Sequence, residues 1–179
     1  MKTINPEDLV FIDEAGSTIS MTRTYARAPR GQRAIDDVPR NRGNVISMIG
    51  ALTTTGLAAM MTIEGGTSHE VFVAFIKHVL AKVLRPGMTV VLDNAGAHKV
   101  TAVLDAFREL GVRVKFLPPY SPDLNPIELA WSKLKEFLRS AKARTREALD
   151  LAIDAGMKAI TVRDSRNWIR KCGYAIQEG

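Results

Sequence analysis

Residues 9–13 (LVFID) and 89–93 (TVVLD) are short apolar runs that each end in an aspartate. Their length suits buried strands. One aspartate at a strand end carries little information, because the residue favours turns. Two of them on neighbouring parallel strands, about 4.8 Å apart, would bring a pair of negative charges together. Repulsion of that kind is costly unless something offsets it, and a divalent cation is the natural candidate. The chemistry open to Asp13 and Asp93 is therefore metal-assisted. In sheets of parallel strands, ligands sit beyond the carboxyl ends, where both aspartates are expected.

A third carboxylate lies in NPIELAWSKLK, residues 125–135. Asn125 suits a helix N-cap, Pro126 the first helical position and Glu128 the third. The same order makes a capping box, in which Glu128 would only reach back to its own helix terminus. Ile127, Trp131, Leu134 and Leu138 form an apolar stripe, and Glu128, Ser132, Lys135 and Arg139 share the adjoining face. Such a helix can pack on a sheet while its carboxylate turns toward the strand ends. Its basic residues, Lys133, Lys135 and Arg139, are candidate phosphate contacts.

The elements that must position these groups follow from apolar periodicity. After the first strand, residues 14–44 contain Gly16, Pro29, Gly31, Pro39 and Gly43 and read as a long irregular insertion, with at most a short strand over 21–26. Residues 45–52 and 57–63 are apolar runs joined by Thr53-Thr54-Thr55-Gly56, a hairpin pattern. Ser68 is expected to cap a helix over 68–84, closed by Pro86-Gly87. The strand over 89–93 is followed by a helix over 99–110 and a strand over 112–117, which Pro118-Pro119 stops. Helices are expected over 125–139, 144–160 and 163–171. The order predicts a mixed α/β sheet with helices on its faces, built as a single domain.

The formal net charge is +6, unevenly spread. Six arginines, among them Arg27, Arg30 and Arg33, fall within residues 23–42, and a second basic segment covers 131–171. Two basic segments around a more acidic centre suit a protein that holds a polyanion while keeping carboxylates for another task. A single cysteine, Cys172, excludes an internal disulfide and fits a reduced, intracellular setting. Neither a signal peptide nor a membrane-length apolar run is visible, so a cytoplasmic location is expected.

Four words, in order, resemble the DDE transposases of bacterial insertion sequences related to the mariner elements: FIDEAG at 11–16, YARAPRGQR at 25–33, VVLDNAGAHK at 90–99 and FLPPYSPDLNPIELAWSKLK at 116–135. The 34 residues between Asp93 and Glu128 match the spacing of that bacterial group. The resemblance implies a ribonuclease H-like fold, a mixed five-stranded sheet flanked by helices. It implies that Asp13, Asp93 and Glu128 share two Mg²⁺ or Mn²⁺ ions, cleave DNA at transposon ends and join the freed 3′-hydroxyl to target DNA. Asn94, His98 and Asn125 are candidates for outer positions around the site, and by strand alternation Glu14 should face away from it.

The resemblance also implies a homodimer in the end complex, with the 14–44 insertion between subunits, and a bacterial, nucleoid-associated setting. Complete relatives read their ends with helix-turn-helix modules, which the few residues before Asp8 are too short to form. Such a module is expected from an upstream reading frame or a missing N-terminus. Two other functions fit the residues: a transposase remnant that only binds DNA or assembles, and a ribonuclease H-like nuclease.

Overall fold

The computed structural model describes residues 5–175. Its elements are β1 (Leu9–Ser17), β2 (Ile46–Thr53), β3 (Gly56–Glu64), α1 (His69–His78), β4 (Thr89–Leu92), α2 (Thr101–Glu109), β5 (Arg113–Phe116), α3 (Ile127–Ala141), α4 (Arg146–Lys158) and α5 (Val162–Lys171). The strands form one mixed sheet in the order β3-β2-β1-β4-β5. β1, β4 and β5 run parallel, and β2 is antiparallel to both β1 and β3.

Side-chain alternation along β1 divides the core into two layers. Leu9, Phe11 and Ala15 join Met48, Val91, Trp131, Leu134 and Ile153 on the face covered by α3, α4 and α5. Val10 and Ile12 join Ile49, Val90, Leu92, Phe72, Phe75 and Phe107 on the face covered by α1 and α2. The central strands are apolar on both faces because helices cover both, as parallel strands require.

Several boundaries differ from the sequence expectation for physical reasons. β1 runs on to Ser17, so Asp13 lies within the strand. Only Leu9 to Phe11 pair with β4, whereas the continuation pairs with β2 alone. The aspartate thus lies just past the end of the parallel pairing. The helix expected over 68–84 does begin at the Ser68 cap, whose hydroxyl accepts from the Val71 N–H, but α1 ends at His78 and a 3₁₀ turn, Leu80–Lys82, follows. No strand forms over 21–26: residues 18–45 contain neither helix nor strand and are mostly exposed. The segment is nevertheless tied to the body. The Arg144 guanidinium donates to the carbonyls of Ile19 and Met21 at 2.9 and 3.0 Å, and Lys142 pairs with Asp36.

Among the described residues, no helix is long and apolar enough to cross a membrane.

Candidate active site

Asp13 and Asp93 arrive at one level by strand register. Phe11 is the partner of Val91 across β1 and β4; Asp13 lies two residues beyond Phe11, and Asp93 two residues beyond Val91, just past the end of β4. Alternation turns Asp13 toward the face of the sheet that carries α3, the face already occupied by Phe11 and Val91, and Asp93 lines the cleft on that side. Glu128 lies in the first turn of α3, which packs on the same face. All three carboxylates line one cleft of about 400 Å³, together with Asn94, Asn125 and the loop of Pro118, Pro119 and Tyr120.

The electrostatics of the cleft follow from this convergence. Burial pushes the Asp13 carboxyl up to about 7; the backbone N–H of Glu14 opposes the rise, and the charges of Glu128, Asp93 and Glu14 add to it. Asp13 is 8 % exposed, whereas Glu128 opens to solvent. An oxygen-only set of carboxylates with mutual repulsion is the donor chemistry that hard divalent cations accept. Among the described residues, however, no three Asp, Glu, His or Cys side chains are drawn close enough to hold an ion. The carboxylates share a cleft without meeting at one point.

The capping role open to Glu128 and Asn125 is not the one adopted. Residue 126 occupies the N-cap position of α3, and no side-chain hydrogen bond caps the helix. The Asn125 side-chain oxygen is instead buried beside the cleft without a hydrogen-bond partner. Proline at 126 restricts residue 125 to extended backbone, which the observed φ of −109° and ψ of 95° reflect. α3 begins at Ile127, two residues after the start of the helix expected over 125–139.

His98 holds Asp93 from behind. Its Nδ1 lies 2.7 Å from Asp93 Oδ1, and the Ala95 backbone N–H donates to the same oxygen at 3.0 Å. The other ring nitrogen, Nε2, lies 3.4 Å from the Glu14 carboxylate. The imidazole is fully buried, with its ring centroid 4.6 Å from that of Phe72 and the two planes tilted by 34°. Burial alone would lower its pKa, but Glu14 and Asp93 together outweigh that effect and raise it. Glu14 does face away from the cleft, as alternation requires, and lines a separate hollow with Ser47 and His98. Its reach to His98 was not legible, because it depends on the turn after β4.

The candidate phosphate contacts separate in space. Arg27, Arg30 and Arg33 are exposed in the irregular segment. Arg139 lines a groove with Arg23, Tyr25, Ser132 and Glu136. Lys135 is partly exposed on α3. Lys133 is engaged within the fold instead: its ammonium lies 2.7 Å from Asp164, which also closes the capping box of α5. Lys133 does not line the groove of Arg139.

Comparison with known proteins agrees with this architecture. The chain is 26 % identical over 129 residues to the Tcb1 transposase of Caenorhabditis briggsae, covering 68 % of this chain and 46 % of that protein. It thus spans about half the length of the curated relative it matches. The Mos1 transposase paired-end complex with left transposon end superposes with a TM-score of 0.76 at 19 % identity, over 93 % of this chain and 52 % of that one. The Mos1 mariner paired-end complex with Mn gives 0.71 at 19 % identity, over 93 % and 53 %. The catalytic domain of Mos1 mariner transposase gives 0.67 at 16 % identity, over 93 % and 78 %. These likenesses establish the ribonuclease H-like fold. A family model covers residues 8–150, from the turn before β1 into α4 and so across all three cleft carboxylates; by that match, the chain belongs to the DDE superfamily endonucleases.

Proposed function

We propose that this chain is the catalytic domain of a DNA transposase, which cleaves DNA at transposon ends and joins the 3′-hydroxyl to target DNA. The observation that carries the proposal is the shared cleft of Asp13, Asp93 and Glu128, assembled from the middle of β1, the turn after β4 and the first turn of α3. Asp13, Asp93 and Glu128 would hold two Mg²⁺ or Mn²⁺ ions. When bound, these supply activation of the attacking oxygen and stabilisation of the leaving one. Support comes from the oxygen-only donor set and from the raised pKa of Asp13, which a bound cation would bring down.

The residues around the cleft divide the remaining work. β1 fixes Asp13, and the bonds from Ala95 and His98 hold Asp93 just past β4, so the scissile phosphate would meet preset carboxylates. Glu128, exposed at the start of α3, supplies the third carboxylate of the same cleft. Arg27, Arg30, Arg33, Lys135 and Arg139 are assigned to the DNA backbone, where phosphate contacts position the duplex without reading its sequence. End recognition is assigned to a helix-turn-helix partner domain, and the 18–45 segment to contact with a second copy in the end complex. Asn94 and Asn125 are assigned to water or phosphate at the cleft wall.

A metal-dependent nicking assay on duplex DNA tests the proposal, with Asp93→Asn as control. Cleavage by the unaltered chain should fall at least about 100-fold in the variant, the scale on which loss of a transition-state charge stabiliser acts. The variant should keep its melting temperature and its affinity for DNA. Joining of a 3′-hydroxyl end to a target separates transposase from a plain nuclease; DNA binding without any metal-dependent cleavage would leave only a binding or assembly role.

A further inference from the structure

The Asp93 side chain is gripped by two neighbours from the turn that follows it. The Ala95 N–H and His98 Nδ1 converge on Oδ1. Because a carboxylate oxygen can only accept, Nδ1 must carry the proton in that contact. Oδ2 takes no part in either bond. The imidazole cannot drift, since it is fully buried, packed against the Phe72 ring, and faced at Nε2 by Glu14 on β1. Glu14 adjoins Asp13 in sequence but lies on the other face of the sheet. A chain of contacts therefore passes from the back of β1, through a buried ring, to a cleft carboxylate just past β4.

We propose that His98 and Glu14 are positioning residues: His98 occupies Asp93 Oδ1 so that Oδ2 is the oxygen offered to a divalent cation, and Glu14 fixes the ring that does so. The inference rests on reading Asp93 as a metal ligand. Without the grip, a side chain 46 % exposed would sample rotamers in which neither oxygen faces the cleft steadily. The same logic governs metal-bound histidines and carboxylates generally, where loss of an outer partner weakens metal affinity about 10- to 100-fold. Here the histidine is the outer partner and the carboxylate the ligand.

A merely structural His98, filling space beside Phe72, makes a different forecast, and two substitutions set the two against each other. In His98→Asn the amide nitrogen can take the place of Nδ1, which keeps the donor to Asp93 but loses volume. In His98→Gln the amide reaches toward the place of Nε2, which keeps more volume but loses that donor. Mn²⁺ titration of the metal-free protein, read by the electron paramagnetic resonance of free Mn²⁺, gives affinity without reference to turnover, and thermal melts without metal run beside it. The expected ranking is His98→Asn within about threefold of the unaltered chain and His98→Gln weaker by about 10-fold or more, with Glu14→Gln between them.

The opposite order, with His98→Gln binding normally and His98→Asn weakest, would overturn the proposal in favour of packing. Should either His98 variant fail to fold, Glu14→Gln decides, because that side chain lies outside the buried core; unchanged Mn²⁺ affinity there would remove the relay. Absence of Mn²⁺ binding by the unaltered chain would overturn the metal-ligand assignment of Asp93 itself, an outcome distinct from equal binding by all variants.

Discussion

Trp131 rests on the bare backbone of Gly50: a methyl group added at that glycine would lie 2.6 Å from the indole Cη2. Gly50 is the register partner of Asp13 across β1 and β2, and Trp131 is one helical turn beyond Glu128. The contact thus sets how closely the helix bearing one carboxylate approaches the strand bearing another. Gly50→Ala should push α3 away, destabilise the fold by about 1–3 kcal/mol as overpacked cores do, and lower Mg²⁺-dependent cleavage. Adding Trp131→Leu should recover stability but leave α3 less firmly seated. Denaturant midpoints and cleavage rates of the single and double variants check both points; an unchanged Gly50→Ala protein would show that the helix position is set elsewhere.

Asp13 makes stability depend on pH in a direction opposite to most carboxylates. Its folded pKa of about 7 stands above the unfolded value of about 3.9, so the folded chain holds the proton more tightly. The group is without penalty below about pH 4 and increasingly destabilising as pH rises through about 7. The upper bound of that penalty is roughly 4 kcal/mol at neutral pH. Metal-free Asp13→Asn should therefore melt higher than the unaltered chain at pH 8, and the two should converge toward pH 4. Mg²⁺ should raise the melting temperature of the unaltered chain more at pH 8 than at pH 5, and that of the variant little at either. A gap that widens toward acid would contradict the assignment.

The exposed arginines of the 18–45 segment should matter for assembly more than for folding. Replacing Arg27, Arg30 and Arg33 with alanine removes charge from backbone that lies outside every helix and strand. Each substitution should cost within about 0.5 kcal/mol of stability. Formation of a complex with paired end DNA, followed by gel shift, should weaken clearly, and a larger loss of stability than of assembly would argue for a structural role.

DNA binding by this chain alone should be weak, steeply salt-dependent and nearly indifferent to sequence, because phosphate contacts dominate it. Titrations on terminal-repeat and scrambled duplexes at two salt concentrations measure this. A preference of about 1,000-fold or more, as dedicated readers achieve, would reveal a base-reading element within these residues.

The central elements were legible because their apolar runs are bounded by strong signals. LVFID and TVVLD placed β1 and β4, and the Thr-Thr-Thr-Gly turn placed the hairpin. The far half of β1 was not, since Glu14 and Gly16 interrupt the apolar pattern where the strand has lost its β4 neighbour and needs only β2. Val79 carries no breaker signal, and its φ of −113° interrupts a helix that periodicity alone would continue. Asn125 has the composition of a cap, yet its side chain does not turn back onto the helix and its oxygen is left without a partner. The Glu14 to His98 contact joins residues far apart in sequence, and no local pattern encodes it.

The parallel pairing of β1 with β4 also dictates when the cleft can exist during folding. The β2–β3 hairpin closes over a two-residue turn and α1 winds locally, so both can form early. Asp13 meets Asp93 only after a long loop has closed to bring the central strand against its parallel partner, a step whose entropy is spent before any contact rewards it. Glu128 enters when α3 docks on the sheet so formed. The three carboxylates are thus brought together by non-local contacts, and a partly folded chain with its hairpin and helices in place would present no assembled cleft.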